Sequence, residues 1–331
     1  MSSGPIPRLQ DLAAETLRGT WMEGPCALVD YPDYSNVGDA AIWLGTLAYF
    51  RSRRIPEPRY VASIGAFSEA ELHASLPDGP ILIQGGGNFG DLWPRHQEFR
   101  KHLLERFPDR EIIQLPQSIH FGDPANAADT ARAIARHGNV RLFVRDVPSY
   151  EFAAAHFDCE TVLCPDMALF LGPLERSAPE VDVLYLLRTD KERASRDPAG
   201  MPDHSFRVAD WPVESRVSSR HSRLRRVLHR IGGGPADHPG TRAARYEAAA
   251  RARVLRGTAL LSSGRVVITD RLHAHILCLL LGIPHAVLDN SYGKLGRFLE
   301  AWTGETGVAF RADSLDDAER WAAAMVAKAD R

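Results

Sequence analysis

Short apolar runs alternate with segments of helical periodicity through most of this 331-residue chain, and that alternation restricts its fold more than any other feature. The stretches 26–30, 80–84, 111–115, 141–144, 161–164, 181–186 and 265–269 hold strings such as Ile81-Leu82-Ile83 and Val266-Val267-Ile268, typical of strands covered on both faces. Between them the pattern predicts helices over 40–53, 95–107, 127–137 and 148–156. Strand–helix repetition of this kind specifies an α/β fold with mostly parallel sheets. The length suits two domains. The Gly- and Pro-containing stretch 171–179 is the expected linker, dividing an N-terminal domain (1–172) from a C-terminal one (173–331) whose last helix packs back on the first. No internal repeat is visible.

In open α/β sheets, ligands bind beyond the carboxyl ends of the strands. Polar residues gather there repeatedly. Tyr34, Asn36, Gly38 and Asp39 follow the first strand, and the loop GGGNFGDLW with Gly86, Gly87 and Asn88 follows the second. Pro116, Gln117 and Ser118 follow the third, Arg145 and Asp146 the fourth, and Asp166 the fifth. All five segments are expected to open as loops on one rim. The glycines permit close backbone approach, but the loop lacks the Gly-Lys-Ser/Thr of a phosphate loop and the glycine spacing of a dinucleotide site. Structural roles fit these residues too: a tight turn for the glycines, an N-cap for Asp39, an ion pair between Arg145 and Asp146, and a turn cap for Asp166.

Residues 265–290 form the most telling unit. The strand ends in Thr269, with Thr269 or Asp270 as N-cap of a helix carrying Leu272, Ile276, Leu279 and Leu280 at helical spacing; Gly282 and Pro284 end it. Arg271 and His273 sit at the helix start, where unpaired N–H groups attract anions. A guanidinium fork suits phosphate or carboxylate, although Arg271 could instead pair with Asp270 or a surface carboxylate. His273 and His275 lie about 200° apart around a helix and serve different surroundings. Asn290 and Lys294 follow the next strand.

Composition narrows the function. Hydrophobic residues at 44% and charged residues at 25% fit a soluble globular protein, and a net charge of −2 gives no field that would draw nucleic acid. No apolar run approaches the roughly 20 residues needed to cross a bilayer. The opening MSSGPIPRLQ lacks the basic and apolar regions of a secretory signal. Cys26, Cys159, Cys164 and Cys278 have no zinc-like spacing and are expected as buried thiols in a reducing cytoplasm. No metal motif and no Gly-x-Ser-x-Gly nucleophile elbow occurs. The arginine-rich stretch 216–231 could dock as a basic amphipathic helix on an anionic membrane surface, or be a solvated surface helix.

Taken together, Asn36-x-Gly38-Asp39, GGGN at 85–88, Pro116-Gln117-Ser118, Arg145-Asp146 with Ser149, Asp166, and Arg271-Leu272-His273 with its Gly–Ile–Pro exit resemble the polysaccharide pyruvyltransferase family. One departure is Asp166, which in many members is followed by proline and here is preceded by Pro165. The resemblance implies two Rossmann-like domains facing a cleft, in the glycosyltransferase B-type architecture. It implies phosphoenolpyruvate as co-substrate, no further cofactor or metal, and as acceptor a hexose of a bacterial surface polysaccharide or its lipid-linked precursor. The product would be a cyclic pyruvate ketal, made at the cytoplasmic side, with phosphate released. On this view His273 is the general acid, and Asp39 or Asp166 the base or the group that orients the sugar. Arg271, Leu272, Asn290 and Lys294 hold the donor, with Arg145 clamping it from the other domain, while Asn36, Gly38, Gly86, Gly87, Asn88, Gln117 and Ser118 line the acceptor cleft. A nucleotide-sugar glycosyltransferase of the same architecture, or a catalytically silent glycan-binding protein, would use the same features.

Overall fold

The computed structural model describes residues 4–18, 24–189, 198, 204–211, 239–289, 293–304 and 307–329. Asn290, the Lys294 side chain and the arginine-rich stretch 216–231 lie outside the described residues.

Among the described residues the strands form two parallel sheets. The first holds β1 (Ala27–Val29), β2 (Tyr60–Ala62), β3 (Ile81–Ile83), β4 (Gly86–Gly90), β5 (Ile112–His120), β6 (Val140–Val144) and β7 (Glu160–Leu163). Their order is β2-β1-β3-β5-β6-β7, with β4 also beside β5. The second holds β8 (Val181–Leu186), β9 (Phe206–Ala209), β10 (Gly264–Thr269), β11 (His285–Leu288) and β12 (Ala309–Ala312) in the order β12-β11-β10-β8-β9. Strand order reverses direction between β1 and β3 in the first sheet and between β8 and β10 in the second. Such reversals open a crevice at the carboxyl ends of the flanking strands, where ligands settle.

The helices are α1 (Pro5–Thr16), α2 (Val37–Ser52), α3 (Glu69–Ser75), α4 (Pro94–Arg106), α5 (Pro124–His137), α6 (Val147–His156), α7 (Pro239–Ser262), α8 (Leu272–Leu281), α9 (Lys294–Phe298) and α10 (Leu315–Ala329). A 3₁₀ turn, Met167–Leu171, follows β7, and a π-helical turn, Leu299–Thr303, continues α9. Helix α2 is apolar all round because it is buried all round, packed between the first sheet, the 3₁₀ turn, α7 and α8. Through it one apolar cluster runs from Leu28, Leu82 and Phe143 of the first sheet to Leu184 and Val267 of the second. Each fully buried large side chain, Trp43 and Phe50 among them, stabilises this junction by about 1.5–3 kcal/mol. Helix α7 reinforces it. Tyr246 stacks on Tyr31 with ring centroids 3.8 Å apart, and Arg253 Nη1 donates to Tyr31 Oη and Pro32 O at 3.0 and 2.9 Å.

The structure corrects several expectations. Gly86, Gly87 and Asn88 of the GGGN segment lie in strand β4 rather than in a loop, and β5 continues to His120 through Pro116, Gln117 and Ser118. Pro116 lies at a register irregularity between Gln114 and Gln117, the kind of place where a missing N–H is tolerated. Gly90, at φ 118°, lets β4 lie against β5, since a Cβ there would fall 1.8 Å from His120 O. Asn36, not Asp39, caps α2, its side-chain oxygen accepting from the N–H groups of Gly38 and Asp39. The C-terminal helix α10 lies on the second sheet, with Leu315, Ala318, Ala322 and Val326 spaced to bury one face against β10–β12. The elements of the second half that reach the first include α7, α8 and the π-helical turn. Cys159 is only half-buried, whereas Cys26, Cys164 and Cys278 are buried, and all four are free.

His275 is fully buried on α8 in a relay with one consistent proton arrangement. His285 Nδ1 donates to Ile283 O at 2.8 Å, so its Nε2 accepts from His275 Nδ1 at 2.7 Å, and His275 Nε2 accepts from Thr303 Oγ1 at 2.8 Å. Burial, then the neighbouring imidazole, depresses His275 well below the ordinary histidine range; burial lowers His285 to about 4. Both rings are therefore neutral when folded but take protons when unfolded below about pH 6.5. Stability from this pair is present above pH 6.5 and is lost as pH falls toward 4, by about 1.4 kcal/mol per pH unit per ring. Urea midpoints measured from pH 7.5 to 4.5 should fall steeply for the native chain and less steeply for His285→Gln.

Candidate active site

The first sheet and the second meet at a buried cluster of charge. Arg145 leaves the end of β6, Asp166 follows β7, and His273 lies in the first turn of α8. Arg145 Nη1 reaches Asp166 Oδ2 at 2.7 Å, and His273 Nε2 lies 3.5 Å from the same oxygen. Asp166 Oδ1 accepts from Ala168 N at 2.8 Å, so this aspartate also caps the 3₁₀ turn. Burial by itself would raise the Asp166 pKa. The His273 imidazole, the Arg145 guanidinium and the Ala168 amide overcome it and hold the carboxyl well below the usual range. His273 Nε2 is buried and has no hydrogen-bond partner of proper geometry.

Arg145 is locked from several sides. Its Nε donates to Ser118 Oγ at 2.9 Å, and Ser118 donates to Asp146 Oδ2 at 2.6 Å. Asp146 does not pair with Arg145. It caps α6, accepting from Ser149 N and Oγ at 2.9 and 2.6 Å. From the second half, Trp302 Nε1 donates to the Arg145 carbonyl at 2.8 Å. An arginine with Nε and Nη1 committed, and 3% exposed, is less available to a donor than the sequence suggested.

The N-termini of α2 and α8 converge here. A Cβ at Gly38 would fall 2.4 Å from His273 Nδ1, so the imidazole rests directly on the α2 backbone. Asp39, half-buried one residue further on, faces Gly86, whose Cβ position is 3.5 Å from Asp39 Oδ1. Helix α8 begins without a side-chain cap, since Arg271 occupies that position. Thr269 Oγ1 instead donates to Leu186 O and accepts from Arg271 N. Asp270 is buried, one oxygen accepting from Arg188 N at 2.9 Å and the other unpartnered. Burial raises its pKa to about 6, against the lowering effect of the Arg188 amide and the Arg271 guanidinium. Among the described residues Arg271 does not pair with Asp270. It meets the half-buried Asp210, at 2.5 Å. Leu272 packs partly buried into the core.

Asn88 and Gln117 bind each other, Gln117 Nε2 donating to Asn88 Oδ1 at 2.8 Å and Asn88 N to Gln117 Oε1 at 3.3 Å. Gly87 lies half-buried beside Asn88. Three residues that sequence reasoning passed over belong to this network. Asp30, buried just beyond β1 at φ 66°, holds His96 Nδ1 3.0 Å from both of its oxygens; Asn88 Nδ2 is 3.1 Å from that same nitrogen. Buried Arg100 contacts Asn88 O and Gln114 Oε1 at 3.0 and 2.7 Å. Asp30 sits at the strand-order reversal, the one signal that would have marked it. Among the described residues, no group of three His, Cys, Asp or Glu could hold a metal ion, and no helix is long and apolar enough to cross a membrane.

An imidazole, two arginines and two helix N-termini gathered where two parallel sheets meet suit an anionic substrate. Residues 36–292 match the family model described as polysaccharide pyruvyl transferase. Pyruvyl transferase 1 of Schizosaccharomyces pombe is 34% identical over 320 residues, covering 88% of this chain and 74% of its own. A putative pyruvyl transferase, EpsO of Bacillus subtilis, is 33% identical over 280 residues, covering 82% and 84%. A crystal structure of an uncharacterised Klebsiella pneumoniae protein shares the fold at a TM-score of 0.61 and 16% identity, over 95% of this chain and 100% of that one. The chain belongs to the polysaccharide pyruvyl transferase family and is an enzyme of that class.

Gly38→Ala tests the close approach of α2 to His273. The added methyl must displace the imidazole, because the His273 Cβ also lies only 2.8 Å from the Cβ position at Gly38. The expected cost is about 1–3 kcal/mol in thermal denaturation and on the order of a hundredfold in turnover.

Proposed function

We propose that this enzyme moves the pyruvyl group of phosphoenolpyruvate onto two hydroxyls of one hexose, in a surface polysaccharide or its lipid-linked precursor. The observation that carries this reading is the buried His273 Nε2, 3.5 Å from Asp166 Oδ2 without a hydrogen bond of proper geometry and set between the Arg145–Asp166 pair and two helix N-termini. In this reading the two sheets act as the donor and acceptor halves of a glycosyltransferase B-type arrangement.

Phosphoenolpyruvate carries a carboxylate and a phosphate. Arg271 and the uncapped start of α8 bind one of them, and the Arg145 guanidinium, fixed in place, offers its positive charge to the other. One sugar hydroxyl bonds to C2 of the enol while C3 takes a proton from His273, converting the methylene to methyl. The C2–O bond to phosphate then breaks, the phosphate leaving with the electron pair, and the second hydroxyl closes the ketal at C2. Of the two hydroxyl protons, one restores His273 and the other leaves with phosphate. Asp39, half-buried beside Gly86, orients the sugar, whereas Asp166 holds Arg145 and the His273 ring in place. Asn36, Gly38, Gly86, Gly87, Asn88, Gln117 and Ser118 shape the acceptor side. The arginine-rich sequence 216–231 supports an acceptor at an anionic membrane surface.

The test is incubation with phosphoenolpyruvate and candidate acceptors, following phosphate release and the mass of the glycan. A glycan gaining one pyruvyl ketal per phosphate released is expected. His273→Ala should lower turnover about 10²–10⁴-fold at saturating substrates, and near-native turnover would sink the acid assignment. Release of a nucleoside diphosphate from a sugar nucleotide would mark a glycosyltransferase instead, and donor bound but never consumed a silent binding protein.

A further inference from the structure

Arg271 is held by a bracket of its own. Its Nε and Nη2 both meet Asp210 Oδ1 at 2.5 Å. That oxygen also accepts from Trp211 N at 2.7 Å, and Asp210 Oδ2 accepts from Thr189 N and Oγ1 at 3.1 and 2.8 Å. The Trp211 ring centroid lies 6.0 Å from the guanidinium carbon. Thr189 follows β8, Asp210 and Trp211 follow β9, and Arg271 follows β10, three strands that are neighbours in the second sheet. The bracket therefore sits beside the strand-order reversal between β8 and β10, where a ligand crevice is expected.

Physical chemistry assigns such a bracket two opposing effects. A carboxylate beside Arg271 partly neutralises it and repels a second anion. It also fixes the plane of a long side chain that would otherwise lose several rotors' worth of entropy on binding. Asp210 directs both oxygens at the Thr189, Trp211 and Arg271 donors. The guanidinium uses the edge containing Nε for this contact and is clamped in one orientation. We infer that Asp210 is a positioning residue for the donor anion: it acts through Arg271, and orientation outweighs the charge it cancels. This rests on the reading that Arg271 binds the carboxylate or phosphate of phosphoenolpyruvate.

Calorimetric binding of phosphoenolpyruvate to the full chain tests it, using Asp210→Ala, Asp210→Asn, Arg271→Ala and the Asp210→Ala/Arg271→Ala double variant. Asp210→Ala should weaken binding about tenfold, the factor associated with one charge-assisted hydrogen bond. Asp210→Asn, which keeps an oxygen acceptor, should weaken it less. The double variant should bind as Arg271→Ala does, because Asp210 has nothing left to position. A melting temperature within a few degrees of native for Asp210→Asn separates this effect from unfolding. Native or tighter binding by both Asp210 variants would overturn the inference while leaving the donor assignment standing. So would a further loss in the Arg271→Ala background. If the native chain itself fails to bind phosphoenolpyruvate, the donor assignment falls and the inference with it.

Discussion

The ion pair between Arg145 and Asp166 is the contact on which the rest of the arrangement depends. Asp166 is wholly buried, and a carboxylate there keeps its charge only because a guanidinium, an imidazole and an amide converge on it. Removing one partner of such a pair strands the other in a poor solvent, at a cost of about 3–5 kcal/mol. The pair also joins elements that chain connectivity leaves independent: the ends of β6 and β7, the first turn of α8 and, through the Arg145 carbonyl, the π-helical turn. It cannot shift without moving both halves of the molecule.

The apolar junction beneath it sets the geometry. Helix α2 is enclosed by the first sheet, the 3₁₀ turn, α7 and α8, so its N-terminus is aimed by packing rather than by its own loop. Close-packed interiors transmit strain instead of absorbing it. The contact of Gly38 with His273 is therefore set by side chains far from either, Trp43 and Phe50 included.

The alternation of strands and helices was legible because β-branched and aliphatic runs such as Val266-Val267-Ile268 report burial on both faces directly. The segments 86–90 and 116–120 misled because glycine and proline signal turns locally, while their strand character comes from pairing with each other across about thirty residues. Residue types at the site were visible, but their partners were not. Arg271 finds Asp210 sixty-one positions away and Arg145 finds Asp166 twenty-one away, and no local period encodes such distances. Asp30 and His96 escaped because an aspartate ending a strand and a histidine early in a helix are unremarkable until the fold sets them 3.0 Å apart.

The π-helical turn Leu299–Thr303 carries both Trp302, which reaches Arg145, and Thr303, which reaches the buried His275. A π turn holds one residue more than an α turn, and each residue advances an α-helix by about 100°. The divergence of adjacent side chains lets this one turn reach two surroundings at once, and the extra residue sets the angle at which it does so. Length alone, one residue gained or lost ahead of Trp302, thus behaves as a register key between the halves: it would swing both side chains by the same angle, and the grips on the histidine relay and on the arginine would be lost together.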